Sequence, residues 1–422
     1  MRGPESPYCS VVLCDTLLTN EGEMMDVVIV GAGIVGAATA RSLSRRGINV
    51  TVVERGRAVS GTSSSGEGNL LLSDKGPGSE LLLAQYASDL WPTVTAELAD
   101  ELGPAFPSIE FDRKGGLVVS TTVDGAAPLL AFAESQREAG VDARAIDPAD
   151  AFALEPDLNP AITAAVYYPE DAQVQPVVAT EALLASARRS GTRVILDSPI
   201  TGGIVNTDGA LVGVRIGDRE LRADAVIVAA GPWSGEVSAL LGANLPVRPR
   251  RGMILVSTRM AHRIFHKVYD ADYVGAVGSS DAALQTSSVV ESTEAGTVLI
   301  GSSRQQIGFD SRLQVEVLRE LAAKALRLFP FLTTASVMRT YGGFRPFMPD
   351  HLPVIGQDPR LPGLWHATGH EGAGIGLSLA TGDLLADLLL GTETAVDADP
   401  FSPARSSLAA HLSPVATSGA AF

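Results

Sequence analysis

The feature that most constrains the fold lies near the start of the chain. An apolar run ends in a G-x-G-x-x-G motif formed by Gly31, Gly33 and Gly36, and a second apolar run ends at Glu54, 23 residues after Gly31. In dinucleotide-binding folds an acidic residue follows the first glycine by about 20 residues, because its carboxylate must reach the adenosine ribose. The spacing therefore predicts a strand, a glycine turn, a helix and a second strand that bind a dinucleotide.

Each residue type in this motif has a physical reason. Gly31 allows a tight turn, Gly33 lets backbone N–H groups approach a diphosphate, and Gly36 lets the helix pack close to the strand. The helix N-terminus offers unpaired donors and the positive end of its dipole to the phosphates. Glu54 can accept hydrogen bonds from ribose hydroxyls but would repel a 2′-phosphate. The motif thus favours a dinucleotide without that phosphate.

The composition excludes several classes of protein. Of the 422 residues, 45% are hydrophobic and 19% are charged, which is typical of a globular chain long enough for two lobes around a large core. The formal net charge of −16 argues against nucleic-acid binding and against a peripheral anchor on anionic lipid, since both need a basic surface. No apolar run reaches the length of about 18 residues that a membrane span needs, so no span is expected.

The two cysteines, Cys9 and Cys14, both precede the first predicted strand. The body of the chain therefore has no cysteine for a disulfide, an iron–sulfur centre, a zinc site or a nucleophile. We expect no metal site and a reducing, cytoplasmic compartment. Residues 1–23 lack the compact apolar segment of a signal peptide. We expect residues 1–24 to form a disordered extension.

Two kinds of predicted element alternate along the chain. Strand–helix units of the dinucleotide-binding type occur at both ends and near 177–235, while 246–350 reads mainly as antiparallel strands. We therefore predict a protein of the α/β plus antiparallel β class, with a Rossmann-type lobe built from discontinuous segments and an inserted antiparallel-sheet lobe. The dinucleotide-binding lobe is predicted to comprise 25–105, 170–245 and 350–395, the substrate-binding lobe 106–169 and 246–349, and a frayed tail 403–422.

One helix of the inserted lobe has a distinct sequence pattern. Its apolar residues recur at helical spacing and predict one buried face, which comprises Val317, Leu321, Ala325 and Leu328. Ser311 and Gln314 have the spacing of a capping box, which predicts that the helix begins just after Ser311.

Two further motifs fit a bound cofactor. An apolar strand at 223–230 ends in Ala-Ala-Gly at Gly231, as in a central parallel strand whose tip approaches a ligand; a buried strand followed by an ordinary turn is the alternative. A glycine-rich segment, 369–376, precedes the last predicted helix. Its backbone donors suit the flavin C2 carbonyl and N1, where negative charge accumulates on reduction. A flexible turn that caps a surface helix is the alternative for this segment.

A candidate substrate residue lies within 341–356. Arg345 is flanked by glycine, aromatic and proline residues in otherwise apolar surroundings. A buried guanidinium needs an anionic partner. That partner is either a structural Asp or Glu, or the carboxylate of a substrate held in bidentate fashion.

These motifs resemble those of the D-amino-acid oxidase/glycine oxidase family of FAD-dependent oxidoreductases, over about residues 25–392. The resemblance implies that the dinucleotide is FAD and that Arg345 anchors a substrate carboxylate. Besides the glycines of the first motif and Gly231, the positions that it implies for holding FAD are Ile34, Val35, Glu54, Arg55, Thr62, Ser63, Glu67, Gly68, Asn69, Ile200, His370, Glu371, Gly372, Ala373, Gly374, Ile375 and Gly376.

The resemblance also suggests how the substrate pocket is built. Tyr269 and Tyr273 are candidate lid or pocket residues, since this family places tyrosines of the inserted lobe over the substrate; half-buried strand aromatics are the alternative. The glycine oxidase pattern has a second arginine near the flavin where this chain has Gly372, which implies a single grip on the carboxylate. Asn69 replaces an apolar residue that faces the substrate, which implies a more polar pocket.

A narrower resemblance concerns the segments 61–70, 73–78 and 301–310. They are similar to the branch that contains hydroxyproline dehydrogenase and the catalytic subunits of cyanide-forming dehydrogenases. That branch works with small or cyclic amino acids and often passes electrons to partner subunits. The electron acceptor is therefore predicted to be oxygen or a partner redox subunit, in a homo- or hetero-oligomer.

The predicted function is FAD-dependent oxidative deamination of a small amino acid. The substrate would be a D-amino acid, glycine or sarcosine, or a cyclic imino acid such as D-proline or D-hydroxyproline. Hydride transfer from Cα to flavin N5 places the demanding step on the cofactor, so no strong base is required. The alternatives are a non-catalytic or electron-transfer flavoprotein subunit of a heteromeric dehydrogenase, and an NAD-dependent dehydrogenase.

Two other groups carry less specific predictions. Arg248, Arg250 and Arg251 form a basic cluster in an acidic protein, which we expect at the surface or at a subunit contact. His370 lies within the glycine-rich segment, where we expect the backbone of its neighbours to matter more than its ring.

Overall fold

The structure is a computed structural model that describes residues 24–412. Apart from Met24, the predicted N-terminal extension lies outside the described residues, and so does the last part of the predicted tail, 413–422. None of the helices within the described residues has both the length and the apolar character that a membrane span requires.

A six-stranded sheet forms one half of the molecule. Its strands lie in the spatial order Val354–Gln357, Leu364–Thr368, Ala225–Val228, Asp26–Val30, Asn49–Val53 and Arg193–Ile195. Neighbouring strands are parallel except for the pair Val354–Gln357 and Leu364–Thr368. The apolar runs of the sequence form the central strands. Both faces of such a parallel sheet are buried, so its strands need apolar residues on both sides.

The helices of this half are Ile34–Arg45, Ser79–Leu102, Pro176–Arg189, Ser234–Leu240 and Gly374–Leu390. Ile34–Arg45, Ser234–Leu240 and Gly374–Leu390 pack on the sheet, whereas Ser79–Leu102 and Pro176–Arg189 pack on Gly374–Leu390 and Ile34–Arg45. The first and last helices approach each other closely, since a Cβ at Gly382 would lie 2.9 Å from the carbonyl carbon and oxygen of Ala38. Small residues therefore let Ile34–Arg45 and Gly374–Leu390 pack closely on one face of the sheet.

An eight-stranded sheet forms the other half. Its spatial order is Val337–Phe347, Arg248–Ser257, Val298–Arg304, Gln285–Ser292, Lys267–Asp270, Gly116–Ser120, Ala164–Tyr168 and Arg144–Ile146. All neighbours are antiparallel except Lys267–Asp270 and Gly116–Ser120, which are parallel. This parallel pair joins strands from the two segments predicted to form the inserted lobe.

The remaining elements are smaller. The helices associated with the eight-stranded sheet are Val123–Glu138, Pro148–Leu154, Asp272–Val277 and Val315–Leu328. Gly202–Val205, Leu211–Ile216 and Arg219–Arg222 form a three-stranded sheet, and Asn69–Leu70 pairs with Ala172–Gln173. The predicted α/β plus antiparallel β fold class is confirmed.

The helix Val315–Leu328 confirms one prediction and corrects another. Its predicted apolar face is buried, but the capping box is wrong, because the helix begins at Val315 and Gln314 makes no side-chain capping bond. The guanidinium of Arg251 instead binds the carbonyl oxygens of Asp310 and Ser311. These bonds hold the backbone at 310–311 outside the helix.

The end of the described chain packs against the body of the molecule. Ser406–His411 forms a 3₁₀ helix, and Leu408 is fully buried. Arg405 donates to both carboxylate oxygens of Asp350 at 2.6 and 2.9 Å, and to the carbonyl oxygen of Leu352 at 2.7 Å. The prediction of a frayed tail from 403 is therefore wrong for 403–412, because a buried ion pair and an apolar contact fix this segment.

Candidate active site

A cavity of about 450 Å³ lies between the two large sheets. It begins at the carboxyl ends of the parallel strands and extends to the eight-stranded sheet, where Ile254 and Arg345 line it. Ligands of open α/β sheets bind at such a crevice. The predicted site residues that line the cavity are Gly31, Gly33, Ile34, Val35, Glu54, Arg55, Thr62, Ser63, Glu67, Asn69, Ile200, Gly231, Tyr273, Arg345, His370, Glu371, Gly372, Gly374 and Ile375.

The glycine turn at the start of the cavity can be built only from glycine. Gly31 has a φ of +118°, and a Cβ there would lie 2.5 Å from the carbonyl oxygen of Ala229. A Cβ at Gly36 would overlap the carbonyl oxygen of Gly31. Gly36 does not line the cavity, so its contribution is to the close packing of helix on strand.

The helix that follows this turn begins without a side-chain cap from its N-cap residue. That residue is Gly33, and Ile34 donates its N–H to Oγ of Ser63 at 3.0 Å. Thr62 donates to the carbonyl oxygen of Phe344 at 2.6 Å. The loop around 62–63 is therefore tied both to the helix start and to the eight-stranded sheet.

Glu54 lies at the end of the second strand, next to the glycine turn. Its Oε2 accepts the N–H of Ala32 at 2.9 Å, and its Oε1 accepts the N–H of Gly56 at 3.0 Å. These bonds fix the carboxylate at the rim of the cavity and leave further lone pairs for a ribose.

Arg55 contacts an aromatic residue that the sequence analysis did not single out. The guanidinium carbon lies 4.0 Å from the ring centroid of Trp233, which also lines the cavity. Trp233 in turn stacks on Phe309, with centroids 5.1 Å apart and planes at 7°. The only signal for Trp233 in the sequence is its place directly after the Ala-Ala-Gly-Pro segment.

The glycine-rich segment 369–376 turns sharply and starts the last helix. Gly369 has a φ of +83° and Glu371 one of +45°, and Gly374–Leu390 begins without a side-chain cap. Gly374 and Ile375 line the cavity, so the free donors of the first helical turn lie at its wall. Ala373 and Gly376 do not line this cavity but a small adjoining one.

His370 is enclosed by the same segment. It is buried, and its Nε2 lies 3.0 Å from Oγ1 of Thr381. Burial lowers the pKa of His370 to about 3, so the ring is neutral at physiological pH. A neutral, hydrogen-bonded imidazole holds the turn in place and is not a proton donor at neutral pH.

Arg345 projects toward the cavity from the strand Val337–Phe347. Its Nη1 donates to the carbonyl oxygen of Ser303 at 2.8 Å, and no carboxylate among the described residues lies within ion-pair distance of it. Burial, with a contribution from the guanidinium of Arg304, lowers the pKa of Arg345 to about 10, which leaves it cationic at neutral pH. Within residues 24–412, the alternative of a structural acidic partner therefore has no candidate.

Two neighbouring arginines do not lie where they were predicted. Arg250 and Arg251, expected at the surface or at a subunit contact, have exposures of 0% and 3%. Arg250 lies opposite Arg345 in the adjacent strand and pairs with Glu371 at 3.3 Å. The prediction was wrong because distant segments supply their partners: Arg250 also donates to the carbonyl oxygen of Ser279, and Arg251 donates to those of Asp310 and Ser311. A local basic cluster does not reveal such partners.

Arg304 is a buried cation that the sequence analysis missed. Its guanidinium lies 4.8 Å from the ring centroid of Tyr273, and it donates to Oγ of Ser302 at 3.3 Å. Arg304 does not line the cavity but lies behind Tyr273. Its only signal in the sequence is its place in the segment 301–310, which carries the narrower family resemblance.

The two predicted tyrosines have different positions. Tyr273 lines the cavity, whereas Tyr269 is fully buried, does not line it, and contacts Ser73 through its hydroxyl. Their rings lie 5.0 Å apart at 59°, so Tyr269 supports Tyr273 from behind. Tyr269 belongs to a strand that ends at Asp270, while Tyr273 lies in the helix that follows.

Two other predicted residues, Gly68 and Asn69, lie at the start of the short strand Asn69–Leu70. Gly68 has a φ of +90°, and a Cβ there would overlap the carbonyl oxygen of Val174, so it shapes the loop from outside the cavity. Asn69 lines the cavity, donates to Oε2 of Glu67 at 3.2 Å and accepts from Nζ of Lys267. The pocket around Asn69 is therefore polar.

The glycine turn, the crevice at the ends of parallel strands and the uncapped helix N-termini define a dinucleotide-binding protein of the Rossmann type. The chain belongs to the FAD dependent oxidoreductase family (DAO), whose family model matches residues 26–388. The predictions of this family, of FAD as cofactor and of an oxidoreductase are thereby confirmed.

Relatives in the same family extend over nearly the whole chain. Glycine oxidase of Pseudomonas aeruginosa is 31% identical over 382 residues, which cover 90% of this chain and 98% of that protein. Hydrogen cyanide synthase subunit HcnC of the same organism is 28% identical and covers 90% of this chain and 96% of its own. The crystal structure of glycine oxidase from Geobacillus kaustophilus matches with a TM-score of 0.80 at 27% identity, covering 90% and 99% of the two chains.

Proposed function

We propose that this protein oxidises a small amino acid at the bond between Cα and the amine nitrogen and passes the electrons to FAD. The main support for the proposal is that Arg345 lies at the cavity as a cation and has no carboxylate partner among the described residues. A guanidinium in this setting favours a ligand carboxylate, which it can bind with two parallel hydrogen bonds. The similarity to glycine oxidase at 31% identity supports an amine donor as the substrate.

The residues that would hold FAD fit its three chemical parts. Glu54 would accept from the ribose, the turn at Gly31–Gly33 would bind the diphosphate, and the segment at Gly372–Gly374 would face the flavin ring. FAD supplies the two-electron acceptor that takes the hydride from Cα. These roles follow from backbone donors and one carboxylate, which match the groups that FAD presents.

Side chains that line the cavity close to the eight-stranded sheet would position the substrate. Arg345 would hold the carboxylate, while Tyr273 and Asn69 would form walls that keep Cα in place and exclude water. Loss of hydride from Cα, with the nitrogen lone pair forming the C=N bond, gives an iminium that water hydrolyses. The candidates are D-amino acids, glycine or sarcosine, and cyclic imino acids such as D-proline or D-hydroxyproline.

An anaerobic flavin-reduction screen tests this proposal. The FAD-loaded protein is mixed without oxygen with glycine, sarcosine, D-alanine, D-proline and D-hydroxyproline, and flavin absorption is followed. Bleaching by at least one of these compounds, with strong loss in Arg345→Ala, is the expected result. If no amine bleaches the flavin although chemical reductants do, the proposed function is wrong, and a non-catalytic or electron-transfer subunit becomes the better interpretation.

The electron acceptor is part of the same proposal. The similarity to HcnC, which is named as a subunit of hydrogen cyanide synthase, supports transfer to a partner subunit. The similarity to glycine oxidase supports oxygen. Peroxide formation by the purified protein would identify oxygen as acceptor, and reduction of an artificial dye without peroxide would favour a partner redox subunit.

A further inference from the structure

A second charged side chain reaches the same part of the cavity as Arg345. Glu67 belongs to the loop before Asn69–Leu70, has an exposure of only 7%, and lines the cavity. A Cβ at Gly301 would overlap Oε1 of Glu67 and lie 3.2 Å from its carboxylate carbon. The Glu67 carboxylate therefore lies directly over the strand Val298–Arg304 of the eight-stranded sheet.

A glycine makes room for Arg345, just as Gly301 makes room for Glu67. A Cβ at Gly252 would lie 2.9 Å from the guanidinium carbon of Arg345. Because Leu255 lies opposite Ile300, Gly301 lies opposite Ile254 and faces the same side of the sheet as Gly252. Two glycines in neighbouring strands thus leave room for one anion and one cation on the same side of the sheet.

The Glu67 carboxylate is not neutralised by a protein cation. Its Oε2 accepts from Asn69, but its Oε1 has no hydrogen-bond partner within residues 24–412. No lysine or arginine of the described residues lies within ion-pair distance of it. A buried carboxylate with a free oxygen is costly unless a cation or donor reaches it.

The nearest buried lysine has another acidic partner. Lys267 and Glu291, which are 2% and 0% exposed, form an ion pair, and Lys267 also contacts Oδ1 of Asn69. This pair carries no net charge, so the carboxylate of Glu67 leaves one negative charge at the cavity wall. Arg345 does not compensate it by contact, because its Nη1 donates to the carbonyl oxygen of Ser303.

We propose that Glu67 accepts hydrogen bonds from the amine of the substrate, while Arg345 holds its carboxylate. The two side chains then present opposite charges to the two charged groups of an amino-acid zwitterion. Glu67 is accordingly a specificity-determining residue that selects an α-amino or cyclic α-imino acid over an amine-free carboxylic acid of the same shape. This inference rests on the proposed function and names the group that recognises the nitrogen.

Binding to the reduced holoenzyme tests the inference, because a reduced flavin cannot oxidise the bound amine. The dissociation constants of D-proline and cyclopentanecarboxylate, and of glycine and acetate, are measured by calorimetry on protein whose flavin was reduced chemically. The wild type is expected to bind at least one amine about 10-fold or more tightly than its amine-free partner. Glu67→Gln should abolish that preference and change binding of the amine-free acid by less than about threefold.

Control variants separate amine recognition from a general structural effect. Glu316→Gln makes the same chemical change at an exposed residue and should leave all four constants unchanged. Glu67→Asp keeps the charge on a shorter side chain and should weaken the preference only in part; it replaces Glu67→Gln if that variant loses FAD. Equal weakening of amine and amine-free ligands, or an unchanged preference, would overturn the inference.

Failure of the Glu67 inference and failure of the proposed oxidation give different results. If the wild type prefers no amine over its amine-free partner, the role of Glu67 is refuted even when an amine bleaches the flavin. If the amine preference depends on Glu67 but no amine bleaches the oxidised flavin, the role of Glu67 stands and the proposed oxidation fails.

Discussion

Arg345 occupies the space that a side chain at Gly252 would fill, with a would-be Cβ at Gly252 only 2.9 Å from the guanidinium carbon. The two residues belong to neighbouring antiparallel strands, in which Gly252 lies opposite Gly343, two residues before Arg345. The absence of a side chain at one position therefore allows the cation at the other to lie flat against the sheet beside the cavity.

Gly252→Ala should displace the guanidinium of Arg345 without unfolding the protein, because the group that must move is the end of a flexible side chain. We expect the KM for the amino acid to rise about 10-fold or more, with FAD content unchanged. Gly202→Ala is the matched control, since a Cβ there meets nothing within 4 Å. An unchanged KM in Gly252→Ala would contradict this role.

Arg345→Ala should remove about 3 kcal/mol of transition-state stabilisation, seen as a decrease in kcat/KM of about 100-fold or more. The reason is that the substrate carboxylate loses its only proposed guanidinium partner. Steady-state or anaerobic stopped-flow kinetics measures the effect. Arg339→Ala, at the exposed end of the same strand, serves as control, and equal rates in wild type and Arg345→Ala would remove Arg345 from the site.

Gly31→Ala should abolish stable FAD binding, because its φ of +118° and the 2.5 Å approach to the carbonyl oxygen of Ala229 both exclude a methyl group. Purified Gly31→Ala is expected to lack flavin absorption. Gly47→Ala tests strain alone, since Gly47 also has a positive φ, +82°, but nothing within 4 Å of a Cβ. That control should lose about 1 kcal/mol of stability and retain the flavin.

His370 should make the protein less stable in mild acid. Burial lowers its folded pKa to about 3, so the unfolded chain binds a proton below its pKa of about 6.5 while the native state does not. The free energy of unfolding should therefore fall as pH falls from about 6.5 toward 3, with about 2 kcal/mol lost from this group at pH 5. Denaturant unfolding of wild type and His370→Asn at several pH values measures the difference.

This prediction is tested by how steeply the free energy of unfolding changes with pH, and not by its absolute value. His370→Asn also loses the contact with Thr381 and should be less stable at neutral pH, but its stability should depend less on pH between 5 and 7. The same substitution at the exposed His262 should leave the pH dependence of the wild type intact. Parallel curves for wild type and His370→Asn would show that the ring is not held neutral by burial.

Local backbone requirements explain what could be predicted from the sequence. Gly31 is needed for the positive φ of the turn and Gly36 for its close approach to the carbonyl oxygen of Gly31, so the motif and its spacing suffice to predict this part of the fold. The buried face of Val315–Leu328 follows from helical periodicity in the same way. The predicted start of that helix was wrong because the observed start depends on Arg251, which belongs to a distant strand.

The sequence alone determined the family, the FAD and the class of chemistry, because glycine turns, apolar strands and helix starts are encoded by neighbouring residues. Only the tertiary structure decided which charged side chains share the cavity wall at the eight-stranded sheet. Glu67 and Arg345 come from segments far apart in the chain, and the packing of the loop that contains Glu67 against this sheet brings both to one cavity. Their positions depend on contacts with distant strands at Gly301 and Gly252, and a local pattern of residues carries no information about those contacts.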